Sequence, residues 1–507
     1  MNPALAAPLR AALIAADFTS HAMAELLGTR GHQALRRNET TPGLMRTRGG
    51  SPAETLARLF LLQTPVPLAD AERALPGLVD RLAVAGLLEQ SVSEVAARLG
   101  CRPYATEADL DGQTMPLWVV SDLTPGLDGA AQRVGSDHVL GISPASTSLA
   151  QLTLRAPVGR SLDLGTGCGI QALHLARHSD VVVATDVNQR ALTMARFNAA
   201  LNEVTVDVRD GSFFEPVRGE RFDQIATNPP FVISPALSHQ RGERLVYRDS
   251  GLPGDRVVEH IVRTAPRHLA PGGWCQVLAN WVITRDQTWD ERLAGWLTPG
   301  HDALVVQREV LDPAAYVELW LKDAGLHPST GGRADDYATR YDTWLSWFDE
   351  QGVEAIGFGW VNLHATGGSA AGAARAARAD RVELLEWPYD VEQPIAPAIS
   401  GWGAADPDAV DLDSALVTRA DVVQETVGPV GAADPATIVL RQQRGLRRAR
   451  SADTVEAALV GACDGDLSVG QILDAVAGLL GADVAQTRAT YLPIVRDLVA
   501  QGFLGLA

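Results

Sequence analysis

Ser161-Leu-Asp-Leu-Gly-Thr-Gly-Cys-Gly169 and, later in the chain, Phe222-Asp-Gln-Ile-Ala-Thr-Asn-Pro-Pro-Phe231 are the stretches on which the reading of this sequence turns. The first is a short apolar run entering a glycine-rich turn. Glycines at 165, 167 and 169 permit positive φ and let backbone approach a ligand closely. Their spacing is not the Gly-x-Gly-x-x-Gly of a dinucleotide fold. Asp163, just before the turn, would repel a pyrophosphate and attract an amino group. The second stretch is a strand ending on two prolines, which remove backbone donors and leave carbonyl acceptors bare. There the amide oxygen of Asn228 and the carbonyl of Pro229 can both accept from one planar NH2 group. Pro230 stiffens the turn, and Phe231 stacks on the flat group that carries the nitrogen. Such an acceptor pair orients a nitrogen and stabilises the positive charge it gains on attacking a methyl carbon. Asn-Pro-Pro also has a bland reading as a strand-ending turn.

Working outward, strand and helix alternate. Expected strands cover 160–164, 181–186, 204–209 and 222–227, expected helices 170–177 and 190–201, and a fifth strand, 274–279, follows Pro271-Gly-Gly273. The alternation predicts a parallel sheet covered on both faces, with ligand beyond the carboxyl ends of its strands. Acidic residues recur at those ends. Asp186, followed by Val187, closes the second strand about 20 residues beyond the first glycine, where a carboxylate takes ribose hydroxyls. Asp210, Gly211 and Ser212 close the third, where a carboxylate beside a small residue can receive an adenine amine. Singly, each aspartate reads as a cap or turn residue; together they point to an adenosine bound without phosphate. Upstream, Pro144-Ala-Ser-Thr147 opens a helix at which Ser146 and Thr147 can hold a carboxylate or serve as ordinary caps.

The flanks divide the chain into an N-terminal helical block (1–94), a catalytic domain (95–388), an irregular connection (389–434) and a C-terminal block (435–507). In the first, Thr19 or Ser20 starts a helix that stops at Gly28, and Ser51-Pro-Ala-Glu54 is a capping box. Residues 95–104 and 116–123 read as a hairpin about Asp111-Gly112. Within the catalytic domain, 289–350 reads as a mainly helical insertion, and the runs 354–364 and 381–387 as an antiparallel edge pair. A strand at 437–440 precedes helices at 454–463, 468–480 and 483–501. Both end blocks carry the same apolar spacing: Leu75, Leu78, Val79 and Leu82 before Gly86, and Tyr491, Ile494, Val495 and Leu498 before Gly502. Such blocks are winged-helix-like, and they either bind nucleic acid or pack against a catalytic domain.

Composition narrows the function. Against 43 basic residues stand 61 acidic ones, a net charge of -18, which disfavours gripping long nucleic acid by bulk charge. Two arginine clusters stand out on that background: Arg30, His32, Arg36, Arg37, Arg46 and Arg48 near the start, and Arg441, Arg444, Arg447, Arg448 and Arg450 near the end. Each is a nucleic-acid contact or a solvated face. Four scattered cysteines form no Cys-x-x-Cys pair, and no apolar run reaches the ~20 residues of a membrane span, so a reducing cytoplasm is expected. His174 and His178 have the spacing of a metal pair, but no third ligand stands beside them, so they read as solvated helix residues and no metal is expected. A Gly-x-Ser-x-Gly nucleophile elbow is absent.

From about 95 to 387 these motifs resemble the class I S-adenosylmethionine-dependent methyltransferases, in the branch with an Asn-Pro-Pro-aromatic turn. That branch takes in release-factor glutamine methyltransferases, small-subunit rRNA guanine-N2 methyltransferases and adenine-N6 methyltransferases. The resemblance implies an α/β, Rossmann-like parallel sheet with an antiparallel edge. It implies that Asp163, Gly165, Thr166, Gly167, Cys168 and Gly169 contact the methionine half of S-adenosylmethionine. By the same carry-over, Asp186 with Val187 holds the ribose, Asp210 with Gly211 and Ser212 the adenine, Pro144 and Thr147 the methionine carboxylate, and Asn228 borders the cofactor. Tyr247-Arg-Asp-Ser-Gly251 resembles a loop that closes over substrate. The chain departs from glutamine methyltransferases in having Phe231 where they have tyrosine, and its end blocks match none of the three subfamilies. The expected activity is N-methylation at Asn228 to Phe231, on an exocyclic amine of rRNA or tRNA ahead of a protein glutamine. A cofactor-binding module without turnover is the reading from another class.

Overall fold

Thr19, whose hydroxyl accepts from the amide of Ala22 at 3.1 Å, starts the second helix of the chain where the sequence places it. The first, α1 (Ala6–Ala15), precedes it, and α2 (Ser20–Leu35) runs past Gly28, which kinks the helix at φ 64° rather than ending it. This computed structural model describes residues 1–106, 116–129, 134–235, 251–330, 332–366, 380–430 and 435–507. The turn expected at Asp111-Gly112 and all of the expected substrate loop but Gly251 lie outside them.

Helices α3 (Thr41–Arg46) and α4 (Pro52–Leu56) follow, the latter opened by the capping box of Ser51 and Glu54. Next come β1 (Val66–Pro67), α5 (Leu68–Ala74), α6 (Val79–Val84), β2 (Leu88–Gln90) and β3 (Glu94–Ala97), with β3 pairing antiparallel to both β1 and β2. The predicted apolar stripe of Leu75, Leu78, Val79 and Leu82 is fully buried. Strands β4 (Leu99–Ala105) and β5 (Pro116–Asp122) form the expected antiparallel hairpin.

The central elements are α7 (Pro144–Leu152), β6 (Val158–Leu164), α8 (Ile170–Leu175), β7 (Ser179–Asp186), α9 (Gln189–Leu201), β8 (Asp207–Asp210), β9 (Phe222–Thr227), α10 (Arg256–Thr264) and β10 (Leu269–Thr284). They continue through α11 (Trp289–Ala294), β11 (His301–Leu311), α12 (Pro313–Asp323), α13 (Ala334–Glu350), β12 (Val353–Ala365) and β13 (Val382–Glu386). Eight of these strands make one sheet in the order β13-β11-β12-β10-β9-β6-β7-β8. From β10 to β8 neighbours run parallel, and β12 lies antiparallel to both β10 and β11.

Two expectations fail at the antiparallel edge. The runs 354–364 and 381–387 do not pair with each other: β11 lies between them, antiparallel to β12 and parallel to β13. The segment 289–350 therefore contributes a strand to the sheet as well as its helices. Its apolar run Ala303–Val306 is buried, because the long β12 has two edges and needs a partner for the second. His174 and His178 are not solvated either. Burial pushes the pKa of His174 down to about 3, its ring standing edge-on to Tyr104, while His178 Nε2 lies 2.9 Å from the amide oxygen of Gln224.

The chain divides into two compact units, residues 1–150 with 155–388, and 151–154 with 389–507. The second unit contains α14 (Ala396–Ala404), β14 (Ala415–Thr418), β15 (Val422–Val427), β16 (Thr437–Gln442), β17 (Ala449–Ala452), α15 (Thr454–Ala462), β18 (Asp464–Ser468), α16 (Val469–Leu480), α17 (Val484–Ala500) and β19 (Leu504–Leu506). The three late helices match expectation closely. The stretch 389–434 does not, because β14 pairs with β18 and β19 while β15 pairs with β16, so it is an integral part of this unit. Its strands are short and mostly exposed, which erases the alternation by which strands are read.

Candidate active site

In the parallel part of the sheet, strand register lines up the turns. Leu164 is level with Thr185 of β7 and with Thr227 of β9, and Asp186 is level with Asp210 of β8. The glycine turn, Asp186 and Asn228 therefore emerge at one edge. The chain lays β7 and β8 to one side of β6 and β9 and β10 to the other, so this edge is the point where strand order reverses.

A single hollow at that edge is lined by Asp163, Gly165, Thr166, Gly167, Cys168, Asp186, Val187, Gly211, Ser212, Asn228, Pro229 and Pro230. Gly165 and Gly167 have φ of 76° and 55°, and a Cβ on either would meet nothing within 4 Å, so their backbone faces open space. Asp163 is 1% exposed and accepts from the Thr166 hydroxyl at 2.5 Å and the Ala172 amide at 2.9 Å. Burial nonetheless raises its pKa to about 7, the two hydrogen bonds offsetting only part of the desolvation. Asp186 accepts from the Gly167 amide at 2.9 Å and the Asn188 amide at 2.8 Å, and burial raises its pKa too. These carboxylates shape the turn and keep lone pairs for an ammonium group or a pair of hydroxyls. The amide oxygen of Asn228 is buried and accepts from no donor among the described residues. A buried orphan acceptor costs about 1–3 kcal/mol, so it marks a place where a donor belongs.

Some expected site residues stand elsewhere. Asp210 is exposed and does not line the hollow, although Gly211 and Ser212 do. Pro144 and Thr147 line a neighbouring cavity, and the Thr147 hydroxyl is spent on the carbonyl of Ser143 at 3.2 Å one turn back, while Ser143 caps the helix by accepting from the Ser146 amide at 3.2 Å. Ser146 instead reaches the hollow, its carbonyl accepting from Gln171 at 2.6 Å. Gly169, at φ 88°, serves packing: its Cβ would lie 3.2 Å from the Ala195 Cα of α9. Phe231 lies outside the hollow, edge-on to Trp320 at 6.3 Å. Tyr316, beside Trp320 on α12, accepts from the Ile233 amide at 2.8 Å and pins the chain just past the Asn-Pro-Pro turn. His138, Gln171 and Phe213 line the hollow and were not expected. Phe213 had a readable signal, an aromatic directly after Asp210-Gly-Ser212, and its φ of 48° is the left-handed conformation rare for a bulky residue.

A family model described as "Methyltransferase small domain" matches residues 141–295, which hold all of the hollow's lining but His138, Val139 and Leu140. This region is a class I S-adenosylmethionine-dependent methyltransferase domain. Models described as domains of unknown function match on either side of the methyltransferase domain, DUF7059 at 15–98 and DUF7782 at 399–505. The release factor glutamine methyltransferase of Geobacter sulfurreducens is 36% identical over 132 residues, 24% of this chain and 46% of its own length. The ribosomal RNA small subunit methyltransferase C of Salmonella arizonae is 30% identical over 194 residues, 37% of this chain and 46% of its own. The chain thus spans less than half the length of either. The solved structure of T. thermophilus 16S rRNA N2 G1207 methyltransferase, in complex with AdoMet and guanosine, aligns with a TM-score of 0.25 at 20% identity over 43% of this chain and 55% of that one. Among the described residues no cluster of His, Cys, Asp and Glu is placed to hold a metal ion, and no helix is long and apolar enough to cross a membrane.

Proposed function

We propose that the protein is an N-methyltransferase that modifies an exocyclic amine of an RNA base, using S-adenosylmethionine. The observation that carries this reading is the buried, donorless amide oxygen of Asn228 in the same hollow as the open backbone of Gly165 and Gly167. The hollow suits the cofactor: Asp163 is a desolvated carboxyl suited to an ammonium group, and Asp186 keeps lone pairs for vicinal hydroxyls. When bound, the cofactor supplies an electrophilic methyl group on sulfur. Asn228 Oδ1 and the Pro229 carbonyl accept hydrogen bonds from the two N–H groups of the target NH2, hold its lone pair toward the hollow and favour the positive charge it gains. Phe213 closes the side of the hollow at Gly211 and Ser212.

RNA is favoured by unpaired positive charge in the N-terminal block, which we read as winged-helix-like. Arg30, Arg36 and Arg48 are exposed and form no ion pair among the described residues. In the late cluster Arg441 is spent on Glu425 and Arg450 on Glu456 and Asp497, which leaves Arg444 and Arg447 as its exposed cations. A protein glutamine substrate is the second reading, because relatives at about one-third identity carry that name. Either substrate belongs to the translation machinery and places the enzyme in the cytoplasm. Incubation with methyl-labelled cofactor and, separately, total RNA or a ribosomal and release-factor protein fraction decides between them. Label is expected in RNA; label in protein alone overturns the RNA reading. Asn228→Ala is expected to lower kcat by about 10²–10³ with cofactor affinity unchanged. Full turnover by that variant would remove the catalytic assignment, and binding without turnover by the wild type on every fraction would leave a cofactor-binding module.

A further inference from the structure

Beside the methyl-transfer hollow lies a second cavity, of about 630 Å³, between the end of α2 and the β4–β5 hairpin. Its lining includes Arg36, Asn38, Arg102 and Thr124, and it shares His138, Leu140, Gly141 and Ser143 with the hollow. One backbone segment therefore walls both spaces.

Arg102 is the unusual group there. It sits on β4, opposite Val119, and its guanidinium makes one hydrogen bond among the described residues, to the Thr124 hydroxyl at 3.1 Å. No carboxylate faces it among the described residues, and burial alone pushes its pKa down. Asp122, the acid in the same cavity wall, is taken by a two-pronged ion pair with Arg190 and by the Val139 amide at 2.8 Å. Gln63, a further lining residue, spends its amide on the Thr124 backbone. A desolvated guanidinium with most of its five donors unused is costly, and a protein keeps one where an anion will meet it. The planar fork matches two oxygens of a phosphate, and Arg36, an exposed residue of the same lining, adds a second cation.

We propose that this cavity is a phosphate subsite, in which Arg102 with Arg36 takes a backbone phosphate of the RNA substrate next to the nucleotide whose base enters the hollow. The assignment rests on the RNA reading above. Arg102 here positions substrate and takes no part in methyl transfer. The shared wall makes the arrangement local: a phosphate held on one side fixes how far a neighbouring base can reach on the other.

Arg102→Gln and Arg36→Gln are compared with wild type for binding of a labelled mixed-sequence single-stranded RNA of about 20 nucleotides, over a range of sodium chloride concentrations. Inorganic phosphate and polyglutamate serve as competitors, and cofactor affinity and melting temperature are followed in parallel. Arg102→Gln is expected to weaken RNA binding about tenfold and to reduce the slope of log affinity against log salt by about 1, with cofactor affinity and melting unchanged. Arg36→Gln shows a smaller loss of the same kind, and Arg102→Lys recovers part of the affinity. Phosphate competes with wild type more weakly than RNA binds but is indifferent in Arg102→Gln. Unchanged RNA affinity and salt slope in Arg102→Gln overturn the subsite. So does polyglutamate binding lost in Arg102→Gln while RNA binding stays, which would assign the cavity to an acidic peptide. If RNA binding depends on Arg102 but label never reaches RNA, the methylation reading fails and the subsite stands. Transfer to RNA with wild-type KM in Arg102→Gln has the opposite meaning.

Discussion

Asp163 performs two tasks that conflict in the absence of a cation. Its hydrogen bonds from Thr166 and Ala172 tie the glycine turn to the start of α8, yet its burial makes the ionised form expensive, with a pKa of about 7 against 3.8 for an ordinary aspartate. For a carboxyl raised on folding, the stabilisation is complete below the unfolded value of 3.8 and is lost as pH rises through about 7. Cofactor-free wild type is therefore expected to lose melting temperature between about pH 4 and 7 relative to Asp163→Asn, whose side chain does not ionise. Differential scanning fluorimetry of both proteins across that range checks it. Parallel curves would mean that the carboxylate is already compensated. A cationic amino group beside it reverses the sign, so cofactor affinity is expected to rise with pH through the same window and to lose that dependence in Asp163→Asn. The sequence showed an acid at this position and its affinity for an amine; the raised pKa comes from the packing around it.

At the scale of elements, the edge of β5 is closed by side chains where another strand would otherwise be needed. Asn202 of the α9 end accepts from the Trp118 amide at 2.9 Å and donates to its carbonyl at 2.8 Å. One turn earlier, Asn198 does the same for Val120 and also donates to the Cys168 carbonyl, all three bonds at 2.8 Å. Both asparagines are buried, so these bonds face no competition from water. The pair thus joins the hairpin, α9 and the glycine turn. Asn198→Ala strands three buried backbone groups and is expected to cost about 3 kcal/mol, read as a shift in urea midpoint. Asn198→Asp is expected to cost a similar amount, since it keeps the acceptor and loses the donor. Periodicity marks α9 as a helix but assigns no partner to polar residues on its inner face, and that is why this link was not legible.

At the scale of the molecule, the N-terminal block and the methyltransferase domain share one core. Leu9, Leu13 and Phe18 cluster with Ile170 and Leu173 of α8 and with Met194, Phe197 and Leu201 of α9, and the Trp118 indole donates to the Phe18 carbonyl at 2.6 Å. A chain begun near residue 99 would expose this apolar face and is expected to be insoluble or molten, checked by expression with dye binding and near-ultraviolet circular dichroism. A soluble, cooperatively melting fragment would show that the block is an appendage.

The residue order alone determined the central alternation of strand and helix, the glycine turn, the Asn-Pro-Pro corner and the three late helices. Each depends on backbone preferences and on apolar spacing within a few residues, and local sequence encodes both. Only the tertiary structure decided that β11 lies between β12 and β13, that 389–430 belongs to the last unit, that the Thr147 hydroxyl turns back to Ser143 while Ser146 faces the hollow, and that Arg102 is half-buried with no carboxylate facing it among the described residues. Those outcomes depend on which distant surfaces meet and on what water is excluded when they do, and neither is written in neighbouring residues.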